Sequence, residues 1–460
     1  MKKTDWKGKS VLILGAGRQG LALAQYLAAR GAQVTLNDSH TQDQMTEEMT
    51  SLQNYPIQWV LGGHPLEILD YKDLICLSGG IPLTLPIVEE AVRRGLPISN
   101  DSQLFLEGIT AQTIGITGSA GKTTTTTLVG RMATQAYKEK AWIGGNIGNP
   151  LILHTDEISS DDLVILELSS FQLEQMTCSP SVAAILNITP NHLDRHGTIE
   201  AYTTAKRHIL DYQEKEDIAI LNREDPGSWN LRRNVKGKLI SFGLQQPPVN
   251  NWRGTFVQEN KIFYHSEAGI LPVLSTQEIL LRGKHNILNV LAAVAIGYAA
   301  SLPIESIQAG IRGFGGVAHR LEFVRQWKGA AWYNDSIATA PERTIAAIQA
   351  FEEPLVLLLG GRDKKLPWEA LVEKIHQRVD HVIVFGEAAE LIMQAIGSLT
   401  MGERPYSVDQ CSTLEQAVAV AADRIEEGDI VLLSPGGTSY DAYKDFAERG
   451  EWYRKWVKDL

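Results

Sequence analysis

Short apolar runs alternate with helix-length amphipathic stretches from one end of the chain to the other. In the first block the runs fall at residues 11–14, 33–36 and 74–77. In the second they fall at 113–116, 163–166, 182–186 and 218–221, and in the last at 354–359, 381–385 and 429–434. Strands alternating with helices predict parallel sheets. The pattern changes once, around 255–264, where two strand-like stretches flank Glu259-Asn260 and predict a hairpin. Helix patterns follow at 286–300 and 304–311, and Gly313, Gly315 and Gly316 then punctuate the chain. The expected fold is α/β with three domains, 1–100, 101–316 and 317–460. Each is built around a mostly parallel sheet with flanking helices. The first and last are Rossmann-like, and the central one is of P-loop ATPase type.

Composition changes this picture little. A chain of 460 residues suits about three domains. A net charge of −11 argues against nucleic-acid binding, which needs a basic face. Cys76, Cys178 and Cys411 lie far apart, with no CxxC spacing, so neither a disulfide framework nor a zinc site is expected, and a reducing cytoplasm fits. The two lysines near the N-terminus precede no apolar leader, and no run of about 18 apolar residues exists, so no signal peptide and no membrane span are expected.

The chemistry concentrates in a few stretches. GITGSAGKTTTTTL, 115–128, carries a strand into a helix through a Gly-rich turn. Such a turn aims backbone N–H groups and a helix N-terminus at one spot, which suits phosphate. Gly118, Ser119, Ala120, Gly121, Lys122, Thr123 and Thr124 form the candidate cradle. Lys122 supplies a mobile charge and Thr123 a hydroxyl for Mg²⁺. The spacing departs from the usual P-loop, because Ile116 stands where that pattern would start. Glu167 ends an apolar strand and is a candidate Mg²⁺ ligand. His192 and Asp194 are expected in a loop at a strand's C-terminal end, where open α/β sheets bind ligands. GAGRQG, 15–20, follows the first strand, and Asp38 ends the next. That fits a nicotinamide dinucleotide, but the same geometry binds any nucleotide diphosphate through backbone amides.

Ten ordered motifs then carry a resemblance over essentially the whole chain. They are GITGSAGKTT, GGNIG, LELSSFQLE, NHLDRH, YTTAKRHIL, GKHNILN, AHRLE, NDSIAT, LLLGGRDK and LLSPGGTSYDAYKDF. The chain resembles the ATP-dependent Mur ligases of peptidoglycan precursor synthesis, and NDSIAT resembles the pattern of the D-glutamate-adding members. The resemblance implies UDP-N-acetylmuramoyl-L-alanine, D-glutamate and ATP as substrates, an acyl-phosphate intermediate, two Mg²⁺ sites, and a cytoplasmic monomer.

It also implies roles for single residues. Gly17, Arg18 and Gln19 would meet the UDP diphosphate, with Asp38 and Ser39 nearby, Ser78 and Gly80 in the third turn, and Asn146 on the UDP-sugar side. Lys122 would contact the β- and γ-phosphates. Thr123 and Glu167 would hold one Mg²⁺, and Glu167 and His192 help to hold the second. Asn286 and Asn289 fall on the adenine side, Arg320 at the γ-phosphate and Asp335 at the ribose, so the site completes only when the last block closes. Thr339, Lys364, Ser439 and Phe446 would form the D-glutamate pocket. Lys206 lies in a helix pattern, 200–212, and by pattern alone is a solvated surface cation. The resemblance instead makes it a lysine carbamylated by CO₂ that faces the second Mg²⁺. Three positions depart from the family pattern: Ile337 stands where Lys is usual, Asn191 where Asp is common, and Gly79 where Pro is usual.

Three rivals remain on the residues: a nicotinamide dehydrogenase built on GAGRQG, a related amide ligase such as a folylpolyglutamate synthetase, and a non-enzymatic nucleotide-binding regulator. Folylpolyglutamate synthetases lack a UDP-binding first block.

Overall fold

Strand β1 (Ser10–Leu14) shows why the apolar runs are unbroken. Val11 and Ile13 pack into one core, whereas Leu12 and Leu14 pack into another on the opposite face. A strand covered on both sides must be apolar at every position. The computed structural model describes residues 5–247 and 252–460. With β2 (Gln33–Asp38), β3 (Ile57–Leu61), β4 (Leu74–Leu77) and β5 (Ile98–Ser99), β1 forms a parallel sheet of order β3-β2-β1-β4-β5. The order reverses at β1, and the crevice beyond β1 and β4 is where such sheets bind ligands.

The second sheet is longer. It contains β6 (Gln112–Thr117), β7 (Ala141–Gly145), β8 (Leu163–Glu167), β9 (Val182–Ile185), β10 (Ile218–Asn222), β11 (Lys238–Phe242), β12 (Gly254–Gln258), β13 (Lys261–Ser266) and β14 (Gly269–Ser275). Its order is β14-β13-β12-β11-β10-β9-β6-β8-β7, parallel from β7 to β12 and antiparallel beyond. The β12–β13 hairpin turns at Glu259 and Asn260, both left-handed at φ 48° and 57°, as a two-residue turn demands. One continuous core runs from Trp6 through Val164 to Leu231, so the first two sheets share an interior. They form one compact unit, comprising residues up to Glu278 together with Lys284–Arg312.

The third sheet belongs to a second unit, Ile279–Gly283 with Gly313–Leu460. Its strands are β15 (Glu322–Trp327), β16 (Ala330–Asn334), β17 (Leu355–Gly360), β18 (His381–Phe385), β19 (Ser407–Cys411) and β20 (Ile430–Gly436), in the order β15-β16-β20-β17-β18-β19. Among the described strands of this sheet only the β15–β16 pair is antiparallel. Here too β17 splits its side chains, with Leu355, Leu357 and Leu359 to one core and Val356 and Leu358 to the other.

Two local expectations are corrected. The segment after His192 is one helical turn, Leu193–His196, rather than a loop; His192 caps it in the left-handed region at φ 53°. The side chain of Asp194 lies outside the described residues. Lys206, on the helix Ile199–Asp211, is 1% exposed and so is no surface cation.

Gly115 sits mid-strand in β6, the strand that delivers the Gly-rich turn. A Cβ there would lie 2.5 Å from Pro180 Cγ and 3.2 Å from both Ile209 and Leu168. Gly115→Ala is therefore expected to lower stability by about 1–3 kcal/mol through overpacking, measured as a fall in the denaturant midpoint of the first unit.

Candidate functional site

Strand β6 ends at Thr117, and the helix Lys122–Tyr137 begins five residues on, with Gly121 as its cap at φ 82°. Asn289, from the helix Lys284–Ala299, packs so close to Gly121 that a Cβ would lie 2.2 Å from its Oδ1. Asn289 Nδ2 also donates to Asn286 Oδ1 at 3.0 Å, so the two asparagines expected on the adenine side act as a pair. Not every amide of the turn is directed at a ligand. Ser119 N donates to Asn187 O, and Ala120 N to Asn187 Oδ1 at 2.8 Å. Those two fix the loop to the segment after β9, which leaves the amides from Gly121 onward for phosphate.

Two lysines converge on one oxygen. Lys122 Nζ and Lys206 Nζ each donate to Gly118 O at 3.0 Å, and Lys206 also donates to Thr117 Oγ1 at 3.2 Å. Burial, reinforced by the neighbouring Lys122 charge, holds the Lys206 pKa well below the ordinary lysine value, and Glu167 opposes that only in part. Glu167 ends β8, in register with Ile116 of β6, and is buried. Its Oε1 accepts from Asn146 Nδ2 at 3.0 Å, and its Oε2 is buried without a hydrogen-bond partner. A carboxylate oxygen in that state suits a hard cation. Thr123 opens the adjacent helix. His192 is exposed, its ring edge-on to Phe171 at 5.1 Å, and its N–H donates to Asn191 Oδ1 at 2.9 Å. Among the described residues no three His, Cys, Asp or Glu side chains assemble as a metal cluster.

The crevice of the first sheet is a cavity of about 250 Å³ lined by Gly17, Arg18, Gln19, Ser78, Gly80, Asn146 and Phe171, among others. It thus brings together most residues expected at the UDP group. Gln19 Nε2 donates to Gly145 O at 3.3 Å, and Ser78 Oγ to Gly15 O at 2.9 Å. Asp38 turns toward the Gly-rich turn itself. Its Oδ2 accepts Ala16 N at 2.7 Å, and its Oδ1 accepts from His40. Burial raises its pKa, but those hydrogen bonds outweigh it and the net shift is downward. Ser39 is exposed beside it.

The second unit has its own polar groups. Asp335, just past β16, is buried; its carboxylate accepts Leu321 N at 3.1 Å and Ser434 Oγ at 3.0 Å. With Arg320 it lines a cavity of about 340 Å³. Lys364 Nζ donates to Thr339 Oγ1 at 3.3 Å, which joins two of the residues expected at D-glutamate. Ser439 is buried, and the Phe446 carbonyl accepts Ser336 Oγ at 2.7 Å.

Three family descriptions match in order: the MurD-like N-terminal domain over residues 9–100, the Mur ligase middle domain over 116–297, and the glutamate ligase domain over 319–437. The chain is 38% identical over 457 residues to a UDP-N-acetylmuramoylalanine–D-glutamate ligase of Koribacter versatilis, covering 99% of this chain and 98% of that one. The chain belongs to the Mur ligase family. A second relative of the same name, from Symbiobacterium thermophilum, is 38% identical over 97% of each chain. Two solved Mur ligases share the fold. One is MurF from Acinetobacter baumannii, at 18% identity and a TM-score of 0.54 over 99% of this chain and 91% of that one. The other is UDP-N-acetylmuramate–alanine ligase MurC from Thermotoga maritima, at 17% and 0.52 over 98% and 99%. As a Mur ligase the chain is an ATP-dependent ligase of peptidoglycan precursor synthesis.

Two arginines of this Mur ligase escaped the sequence reading. Arg195 donates to Gly79 O and Gly80 O at 3.2 and 3.1 Å and to Ile81 O, and its guanidinium lies 4.1 Å from the Phe171 ring centroid. It ties the third turn of the first sheet to the His192 segment. Arg449 is fully buried and donates to Ser336 Oγ, Ser336 O and Gly437 O, joining the loops that carry Thr339 and Ser439. Burial brings its pKa down to about 10. Arg195 could have been suspected from NHLDRH; nothing in the sequence marks Arg449.

Burial pushes the Asp335 pKa from 3.8 up to about 7, against the lowering effects of Ser434, the Leu321 amide, Arg320 and Arg343. The folded chain therefore binds this proton more tightly than the unfolded chain. Its stabilising contribution is present at low pH and is lost as pH rises from about 4 through about 7, on the order of 3–4 kcal/mol. Asp335→Asn is expected to flatten the fall in stability across that window, read from denaturation midpoints of the second unit at stepped pH.

Proposed function

We propose that the chain joins D-glutamate to the alanyl carboxylate of UDP-N-acetylmuramoyl-L-alanine at the expense of ATP, as a cytoplasmic monomer. The observation that carries this reading is the series of polar groups that runs from the UDP crevice to the phosphate turn. Asn146 lines the crevice and bonds Glu167. The Glu167 charge reaches Lys206 electrostatically, and Lys206 shares Gly118 O with Lys122. A substrate carboxylate reaching out of the crevice would then meet the γ-phosphate. The names of the full-length relatives support the same substrates.

A carboxylate resists attack by an amine. Transfer of the γ-phosphoryl to its oxygen releases ADP and makes an acyl phosphate. The neutral amine of D-glutamate then attacks the carbonyl carbon, the bond to the phosphate oxygen breaks, and phosphate and a proton leave. Anions crowd together in both steps, so cationic groups dominate the electrostatics. Lys122 holds the β- and γ-phosphates. Arg320 meets the γ-phosphate, Asp335 the ribose, and Asn286 and Asn289 the adenine. Thr339, Lys364, Ser439 and Phe446 hold D-glutamate, and Gly17, Arg18, Gln19, Ser78 and Gly80 the UDP group, with Asp38 shaping its turn. Glu167, Thr123 and His192 would hold Mg²⁺, whose charge offsets that of the phosphates. Lys206 carries a carbamate. Its buried Nζ lies among Lys122, Thr117 and Glu167, where an anion with two oxygens would serve a cation better than an ammonium does.

The direct test supplies ATP, Mg²⁺, UDP-N-acetylmuramoyl-L-alanine and D-glutamate and follows phosphate release. Turnover that needs both acceptor substrates is expected; NADH oxidation without phosphate release, or nucleotide binding without turnover, would replace this reading. Lys122→Ala should lower kcat by about 10²–10³-fold with the fold intact by circular dichroism. Lys206→Ala should lose most activity, acetate should restore part of it, and a high-resolution map of the wild type should show a carboxylate bonded to Nζ. A bare Lys206 in crystals holding Mg²⁺ and nucleotide would remove the carbamate.

A further inference from the structure

The cavity shared by Arg320 and Asp335 has a second arginine, and nothing above gives it a task. Arg343 lines the same wall, together with Ile337 and Ala338. Its Nη1 donates to Ile337 O at 3.3 Å, and among the described residues it makes no ion pair. Asp335 accepts its hydrogen bonds from the Leu321 amide and the Ser434 hydroxyl, and both arginines act on it through their charge. Burial also favours the neutral carboxyl, so the cavity holds two guanidinium groups against at most one negative charge. Arg343 lies in the first turn of the helix Pro341–Ile348, where a cation opposes the helix dipole. Helix stability therefore gives no reason for an arginine at that position. The neighbouring wall position, Ile337, is apolar.

We propose that Arg343 is a phosphate-binding residue of the nucleotide site, providing from the helix Pro341–Ile348 the positive charge that Ile337 does not. The proposal rests on the nucleotide roles given above to Arg320 and Asp335. The ligand is the polyphosphate of ATP rather than the carboxylates of the amino acid, because the cavity walls include Arg320 and Asp335 and neither Thr339 nor Lys364. A guanidinium suits it, since it offers paired donors to phosphate oxygens.

Arg343 is exposed, so its replacement leaves the core untouched. In the full-length enzyme Arg343→Ala should raise the KM for ATP about tenfold, the loss of one charge-assisted contact, with the KM for D-glutamate unchanged. Arg343→Lys should recover part of this. Ile337→Lys placed in the Arg343→Ala chain should recover it too, by returning a cation to the same wall. Calorimetric titration of ADP into the same variants reads the phosphate contact whichever acceptor the enzyme uses. A wild type that binds ADP but releases no phosphate with these substrates would thus overturn the proposed reaction and leave Arg343 testable. An unchanged ATP KM and ADP affinity in Arg343→Ala would overturn the proposal. So would a rise in the D-glutamate KM alone, or a loss that neither lysine repairs.

Discussion

One backbone carbonyl, that of Gly118, accepts hydrogen bonds from two lysines, and the phosphate turn of the first unit is arranged around that sharing. Two ammonium groups this close repel, and the buried one, Lys206, is relieved by a pKa held well below the ordinary lysine value, which favours its neutral amine. The surrounding structure holds the pair in place. Gly115 keeps β6 tight against Pro180, Asn187 locks the turn from one side, and Asn289 presses on Gly121 from the other. Glu167 stands one strand away, with an oxygen uncommitted.

Much of this was legible because it is local. The β6 turn, the strand that ends at Glu167, and the Glu259-Asn260 hairpin are each written in a few adjacent residues, through turn chemistry or an unbroken apolar run. Half-exposed or irregular strands were harder. β3 has no fully buried residue, and β14 begins with Gly269 and carries Pro272, so neither gives a clean pattern. Lys206 illustrates the limit most sharply. Its helix is amphipathic and a lysine there reads as solvated, yet the helix docks on β6 and takes the side chain inside. The contacts of Arg195 and Arg449 are unreadable for a related reason. Their partners are main-chain oxygens distant in sequence, and a carbonyl leaves no letter in the alphabet.

Asn146 gives the first unit a direct join between its two sheets' ligand faces. Its backbone N–H donates to Glu167 O at 2.8 Å and its side chain to Glu167 Oε1, while the same residue lines the crevice beside Arg18. The carboxylate is thereby held at both its backbone and its side chain. Positioning of this kind, through second contacts on rigid strands, is what keeps a reacting geometry within the tolerance that phosphoryl transfer demands.

Arg195 docks onto Gly79, Gly80 and Ile81 purely through their carbonyls, with its other face on Phe171. A contact that recognises the course of a chain and not its side chains places few demands on inheritance. A side chain changed at any of the three residues beneath it would leave these hydrogen bonds in place, since each accepts through its main chain. That tolerance stops at the arginine, because beside it the two sheets share a continuous apolar core in which every side chain must still fit its neighbours.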